Sequence, residues 1–425
     1  MRRNLFSTML SGALAATMLA ACTGTSNPDS GRQTVKLWTH AAGNPDELAT
    51  IQQIISDFNA SQTQYQVVHE AFPQGAYNEA VTAAAAAGDL PCLIDVDGPI
   101  MPNWAWANYL APLDLPQETV DKFLPSTVGR YKDKVYSIGF WDAAIAVYAR
   151  KSVLETNGIR IPTMEEPWSQ SEFDATLVKL KAAGFAYPLD LGTGGDPGEW
   201  WPYAYSPILQ SFGGDLIDRG SYRSAEGALN GTDGVAFGQW WQSLFQRGLA
   251  NPREAVDRVA FLQGKAALAW NGNWGANDAI KAFGDDVLFL PPPDFGAGPK
   301  IGGASWQWGI TASCKQQQGA LAYLKHSLSA KYLAAFSDKI GLIPATEEAA
   351  ALTANYRPGG QYRIFAEYSR KYVVVRPPTP AYPVISSVFA RAMRDITHGG
   401  DVKSRLDQAV DEIDANLKSN NNYGF

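Results

Sequence analysis

Residues that usually carry chemistry are scarce in this chain of 425 residues. It has three cysteines, at 22, 92 and 314, and four histidines, at 40, 69, 326 and 398. None of them falls at a metal-ligand spacing, so neither a structural zinc site nor a bound cofactor is expected. There is no Gly-x-Ser-x-Gly elbow, no His-Glu-x-x-His pair and no phosphate-binding loop, which removes the common hydrolase and nucleotide-binding signatures. Long basic runs are also missing. The formal charge is -7, and it becomes -9 once Arg2 and Arg3 are taken away. A polyanion such as nucleic acid is therefore not an expected partner.

What is abundant is tryptophan, at 13 residues, beside 18 tyrosines. Many of these rings sit in stretches rich in Gly, Asn or Pro rather than in apolar periodic segments. Such rings are not all explained by a core.

The first residues have a different purpose. Arg2 and Arg3 precede an uncharged, mostly apolar run from Leu5 to Ala21. That is the form of a secretory signal, too short for a membrane span. It ends in Leu19-Ala20-Ala21-Cys22, which resembles the bacterial lipobox, with Cys22 as the lipid-bearing residue. The alternative is a plain signal cut near Ala21. Residues 23–32 are polar and read as a tether. A lipid anchor would hold a soluble domain outside the cytoplasm without making it a transmembrane one. In that compartment Cys92 and Cys314 can form a disulfide or remain two buried thiols.

From residue 34 the pattern alternates. "TVKLWTH" reads as a strand. "PDELATIQQIISDFNASQ" is an amphipathic helix with Leu48, Ile51, Ile54, Ile55 and Phe58 on one face. "YQVVHEAF" is a strand, "GAYNEAVTAAAAAGDL" a helix ending at Gly88, and "CLIDVDGP" a buried strand. This is an α/β unit with a mainly parallel sheet. Ligands of such sheets bind beyond the carboxyl ends of the strands. Further on, "YKDKVYSIGF" reads as a hairpin, a helix follows Ser169, and "KSRLDQAVDEIDANL" is a charged amphipathic helix before an Asn-rich tail expected to fray.

Four loops break this pattern with aromatic and polar residues together. Asp97 follows a hydrophobic strand in "VDGPIMPNWAWANYL". A carboxylate there can accept two neighbouring hydroxyls. "GTGGDPGEWWPY" presents Glu199, Trp200 and Trp201. Adjacent helical residues diverge, so at least one of these two indoles is not explained by the core. "WNGNWG" offers Asn271, Asn273 and Trp274, and "GGASWQWG" offers Gly302, Gly303, Ser305 and Trp306. An indole covering about 60 Å² of a sugar's apolar face contributes roughly 1.5 kcal/mol at ~25 cal/mol/Å². Paired carboxylates also suit glycoside hydrolysis, and Asp95 with Asp97, or Glu199, are the candidates for that alternative.

The order of these motifs resembles the extracellular solute-binding proteins of carbohydrate ABC importers, the maltose-binding-like group. The segments that carry the likeness are "VKLWTHAAG", "AAAAAGDLPCLIDVDGP", "YLAPLD", "YSIGF" before "AVYARKSVLETNGIRIPT", "FLQGKAALAWNGNWG", "GGASWQWGITASC" and "GLIPAT". They span essentially the whole mature chain. Two departures are Cys92, where the family usually has aspartate, and "VYARKSVLE", where relatives commonly show Tyr-Asn before the lysine.

The resemblance implies a periplasmic-binding-protein-like α/β fold of two lobes joined by a hinge. A sugar, oligosaccharide or glycosylated polyol would bind between the lobes, without catalysis, and pass to membrane permease subunits. A glycerol-phosphate ester is a related ligand class. By matching positions the cleft would include His40, Asn44, Gln74, Asp97, Asp142, Trp200, Trp274, Gly303 and Trp306. The implied organisation is a signal over 1–21, a lipidated tether over 22–33, a first lobe over 34–140 and the main segment of a second lobe over 141–300. A hinge-crossing segment shared by the lobes follows over 301–360, then a C-terminal helical region over 361–425. A monomer is expected.

Overall fold

A computed structural model describes residues 31–195, 198–255, 257–303 and 306–425. Cys22, the signal segment and most of the tether lie outside the described residues, as does Ser305.

The first lobe is built on the alternation visible in the sequence. Strand Gln33–Thr39 pairs in parallel with Tyr65–Ala71 on one side and Leu93–Asp97 on the other. Helix Pro45–Ser61 buries Ile51, Ile54, Ile55 and Phe58 against the sheet. Helix Gln74–Ala87 ends at Gly88, whose φ of 72° suits a residue without Cβ. The sheet then turns antiparallel. Trp306–Thr311 pairs with Leu93–Asp97, and beyond it come Lys134–Gly139 and Val128–Tyr131, the hairpin read from the sequence. A strand from late in the chain thus lies in the centre of the first sheet. Cys92 and Cys314, at the ends of that antiparallel pair, form a disulfide.

The second lobe holds a four-stranded sheet of Val287–Leu290, Ile145–Arg150, Leu268–Gly272 and Leu189–Asp190. Helices Trp200–Phe212, Thr232–Gln246, Tyr382–Thr397 and Val402–Ser419 pack around a core containing Trp201, Trp241 and Trp270. The helix after Ser169 carries a capping box with Glu172.

Short strand pairs stand where the chain passes between lobes. Trp141–Asp142 pairs with Ile343–Pro344, between the first-lobe strand ending at Gly139 and the second-lobe strand starting at Ile145. Ile301–Gly303 pairs in parallel with Val373–Val375. The tail departs from expectation. Tyr423 is buried and stacks edge-on against Trp106 of the first lobe at 4.9 Å, while Phe425 packs on Tyr222. Aromatic burial at the chain end outweighs the fraying that its asparagines suggest.

Candidate functional site

The carboxyl ends of the first-lobe strands bring four groups together. His40 follows the strand Gln33–Thr39, and its ring lies flat against the Trp306 indole, with centroids 3.8 Å apart. Beneath that stack is a buried charged cluster. His40 Nδ1 is 2.8 Å from Asp95 Oδ2, which also accepts the His40 backbone N–H, and Nε2 is 3.5 Å from Glu47. His40 is 5% exposed and Glu47 is 4% exposed. Burial opposes the charged imidazole, but Asp95 and Glu47 outweigh it and raise the His40 pKa. Burial also pushes Glu47 up to about 7, against the pull of His40. His40 thus props the underside of Trp306 and is not an accessible proton donor. Asp95 is 1% exposed, which removes it as half of an accessible acid pair.

Asp97 stands opposite Trp306 in the strand register. It is buried, and that burial pushes its pKa up to about 6, with Arg376 opposing and Glu199 adding to the rise. Trp306 itself is half-buried.

The second lobe supplies the other wall. Gly302 and Gly303 allow a close crossing, since a Cβ on Gly302 would stand 2.1 Å from the Tyr203 carbonyl and one on Gly303 2.4 Å from Val373. Gly303 therefore serves backbone packing between strands. Gly272 plays a similar part, because the Trp274 ring folds back where a Cβ would sit. Trp274 is 41% exposed and lies 6.0 Å from Tyr203 and 6.1 Å from Trp200. Of the adjacent pair, Trp201 is core and Trp200 is half-buried beside Trp274, as divergence on a helix requires. The Arg258 guanidinium lies 4.5 Å from the Trp200 ring, and its Nε donates to the Trp270 carbonyl at 2.8 Å.

The two walls are linked by a residue the sequence reading missed. Arg376 follows strand Val373–Val375, lies 3.6 Å from Asp97 and pairs with Glu199. Its guanidinium is 5.1 Å from the Tyr203 ring centroid. Tyr382 and Ser386 donate to Glu199 as well, the latter at 2.6 Å. The only hint in the sequence is a lone arginine opening the proline-rich stretch "RPPTPAYP".

Two of the remaining expected cleft residues, Asn44 and Asp142, serve local ties. Asn44 is exposed and caps helix Pro45–Ser61 by accepting the Glu47 N–H at 3.2 Å. Gln74 begins the helix Gln74–Ala87 and is exposed on the first lobe. Asp142 has no exposed surface. It accepts hydroxyl hydrogen bonds from Ser126 at 2.8 Å and from Ser369, and so ties the crossing strands rather than facing a ligand. Asn273 is likewise a buried tie, bonded to Ala144, Gly341 and Tyr356.

Among the described residues, no group of three or more His, Cys, Asp or Glu side chains is arranged to hold a metal ion, and no helix is long and apolar enough to cross a membrane.

Residues 53–358 match a family described as bacterial extracellular solute-binding protein. The fold is that of the GacH receptor of Streptomyces glaucescens, solved unliganded and with acarbose, at TM-score 0.75 and 22% identity over 91% of this chain and 98% of that one. It is equally that of a cyclic alpha-maltosyl-1,6-maltose binding protein from Arthrobacter globiformis, at TM-score 0.75 and 21% identity over 92% of this chain and 100% of that one. An uncharacterized lipoprotein encoded upstream of oleD in Streptomyces antibioticus is 23% identical over 319 residues, which is 67% of this chain and 64% of that protein.

Proposed function

Because the chain belongs to the bacterial extracellular solute-binding proteins, we propose that its solute is a neutral sugar or oligosaccharide held between the two lobes. The observation that carries this reading is the pair of solvent-reaching indoles on opposite walls. Trp306 stands on the first lobe opposite Asp97, and Trp274 on the second beside Trp200, while Arg376 links Asp97 to Glu199. Indole faces suit the C–H face of a pyranose, and carboxylates suit its hydroxyls. Two proteins of the same fold bind acarbose and cyclic alpha-maltosyl-1,6-maltose.

In this reading the saccharide contacts both walls only when the lobes close. It favours closure by the difference between its affinities for the closed and open forms. Hydroxyl partners left unmatched by a wrong epimer cost about 1 to 3 kcal/mol each, so the polar groups select the sugar. The closed form is then delivered to an ABC permease, with Cys22 holding the protein to the membrane by lipid. Arg376 is already countered by two carboxylates, which disfavours a glycerol-phosphate ligand.

A thermal-shift screen over mono-, di- and trisaccharides and polyol glycosides, followed by calorimetry, tests the assignment. Saturable 1:1 binding of at least one saccharide, with no product formed on long incubation, is expected. Stabilisation by none of them overturns the assignment. Hydrolysis abolished by Asp97→Asn or Glu199→Gln would make the protein a glycosidase instead.

A further inference from the structure

Arg376 is 6% exposed, and the two carboxylates it meets belong to different lobes. Asp97 ends a first-lobe strand, and Glu199 immediately precedes the second-lobe helix Trp200–Phe212. Arg376 sits on the second-lobe side, since the strand it follows pairs with Ile301–Gly303 and Tyr382 opens a second-lobe helix. Its ion pair with Asp97 therefore crosses the interface. A single guanidinium thus lies between two carboxylates of different lobes, Asp97 buried and Glu199 partly exposed.

We propose that Arg376 is a positioning residue whose charge lets Asp97 and Glu199 come together across the cleft, so that the two carboxylates form one acceptor pair only when the lobes are closed. The use of that pair for saccharide hydroxyls rests on the reading above; the tie between the lobes does not. The charged and titratable groups around it are few. Arg376 faces Asp97, Glu199, Tyr203 and Tyr382, and Asp97 also feels His40. Removing the cation leaves the buried Asp97 without its counter-charge, facing a Glu199 that is partly exposed and still held by Tyr382 and Ser386, so the cost falls mainly on Asp97. The Asp97 carboxyl, already pushed up to about 6 by burial, would rise further in that variant. Opening returns it to water and toward the ordinary carboxylate range, so protonation favours the closed arrangement.

The test needs no ligand. Spin labels at Glu79→Cys on the first lobe and Ala175→Cys on the second, both exposed positions, report the interlobe distance, with Cys92 and Cys314 held in their disulfide. At pH 7.5, Arg376→Met is expected to raise the long-distance population at least threefold. Adding Asp97→Asn to Arg376→Met should bring the distribution back toward the parent, and so should lowering the pH to 5. Asp97→Asn alone should stay closed. Should Arg376→Met not fold, Arg376→Lys serves, with a smaller opening that is relieved in the same way. A distance distribution unchanged by loss of the arginine overturns the proposal. An opening that neither Asp97→Asn nor acid relieves also overturns it, because a purely steric role would be blind to both. A protein that binds no saccharide in the panel leaves these distances to be judged on their own.

Discussion

The two lobes hold a solvent-reaching tryptophan in different ways. Trp306 belongs to a central strand of its sheet and rests on His40, which is held in turn by two buried carboxylates. The Cys92–Cys314 disulfide clamps the far end of that strand pair. Trp274 instead stands in the single 3-10 turn Asn273–Gly275, is exposed, and leans on the rings of Trp200 and Tyr203. One indole is fixed by a sheet and charges; the other is fixed by neighbouring rings.

The comparison breaks most visibly at the disulfide. In the chain-entropy picture a loop of this length contributes up to about 5 kcal/mol. The double substitution of Cys92 and Cys314 by Ser should therefore lower the melting temperature of the first lobe well before that of the second, as resolved by calorimetry. Simultaneous melting with little change would show that the strand pair needs no clamp.

A smaller loss is expected from His40→Ala, which empties the space under Trp306 and leaves Asp95 and Glu47 buried without their partner. Breaking a buried ion pair costs about 3 to 5 kcal/mol. Denaturant titration should show a loss of that order, with weaker saccharide binding beside it. Wild-type stability would mean that the imidazole props nothing.

The smallest effect is in the dependence on pH. Burial pushes Glu47 up to about 7 and Asp97 and Asp190 up to about 6, so the folded protein holds these protons more tightly than the unfolded chain does. His40, raised by Asp95 and Glu47 in spite of its burial, acts in the same direction. Their contribution to stability is present below the ordinary carboxylate range and is lost progressively as the pH rises from there to about 6 to 7, partly offset by His69 and His326, which burial lowers. Melting is therefore expected at a higher temperature at pH 5 than at pH 7.5, and Glu47→Gln should flatten part of that slope. A profile falling steadily toward acid would refute this.

The α/β frame was legible because its signals are local. The apolar spacing of Ile51, Ile54, Ile55 and Phe58, the cap at Ser169 and the alternation of strands each depend on a few neighbouring residues. The site was legible in part. Trp274 and Trp306 announced themselves as aromatics in glycine-rich loops, and both reach solvent. Asn44 matches a cleft position of the family, yet Pro45 and Glu47 mark it as a helix cap. Asp142 looked like a cleft acid, yet the crossing strands bury it against two serines, an outcome set by contacts 16 and 227 residues away. Arg376 left almost no trace, because a lone arginine before prolines has no period and its partners lie far off in the chain.

The central claim is that indoles on different lobes close on one and the same saccharide. Calorimetric titration of the best-binding saccharide into the parent, Trp306→Ala and Trp274→Ala proteins tests it most directly. Each ring contributes roughly 1.5 kcal/mol, so each variant should lose about tenfold or more in affinity while keeping a 1:1 stoichiometry and its melting temperature. A folded variant of either kind that binds with undiminished affinity would contradict the claim, since that indole would then lie outside the site.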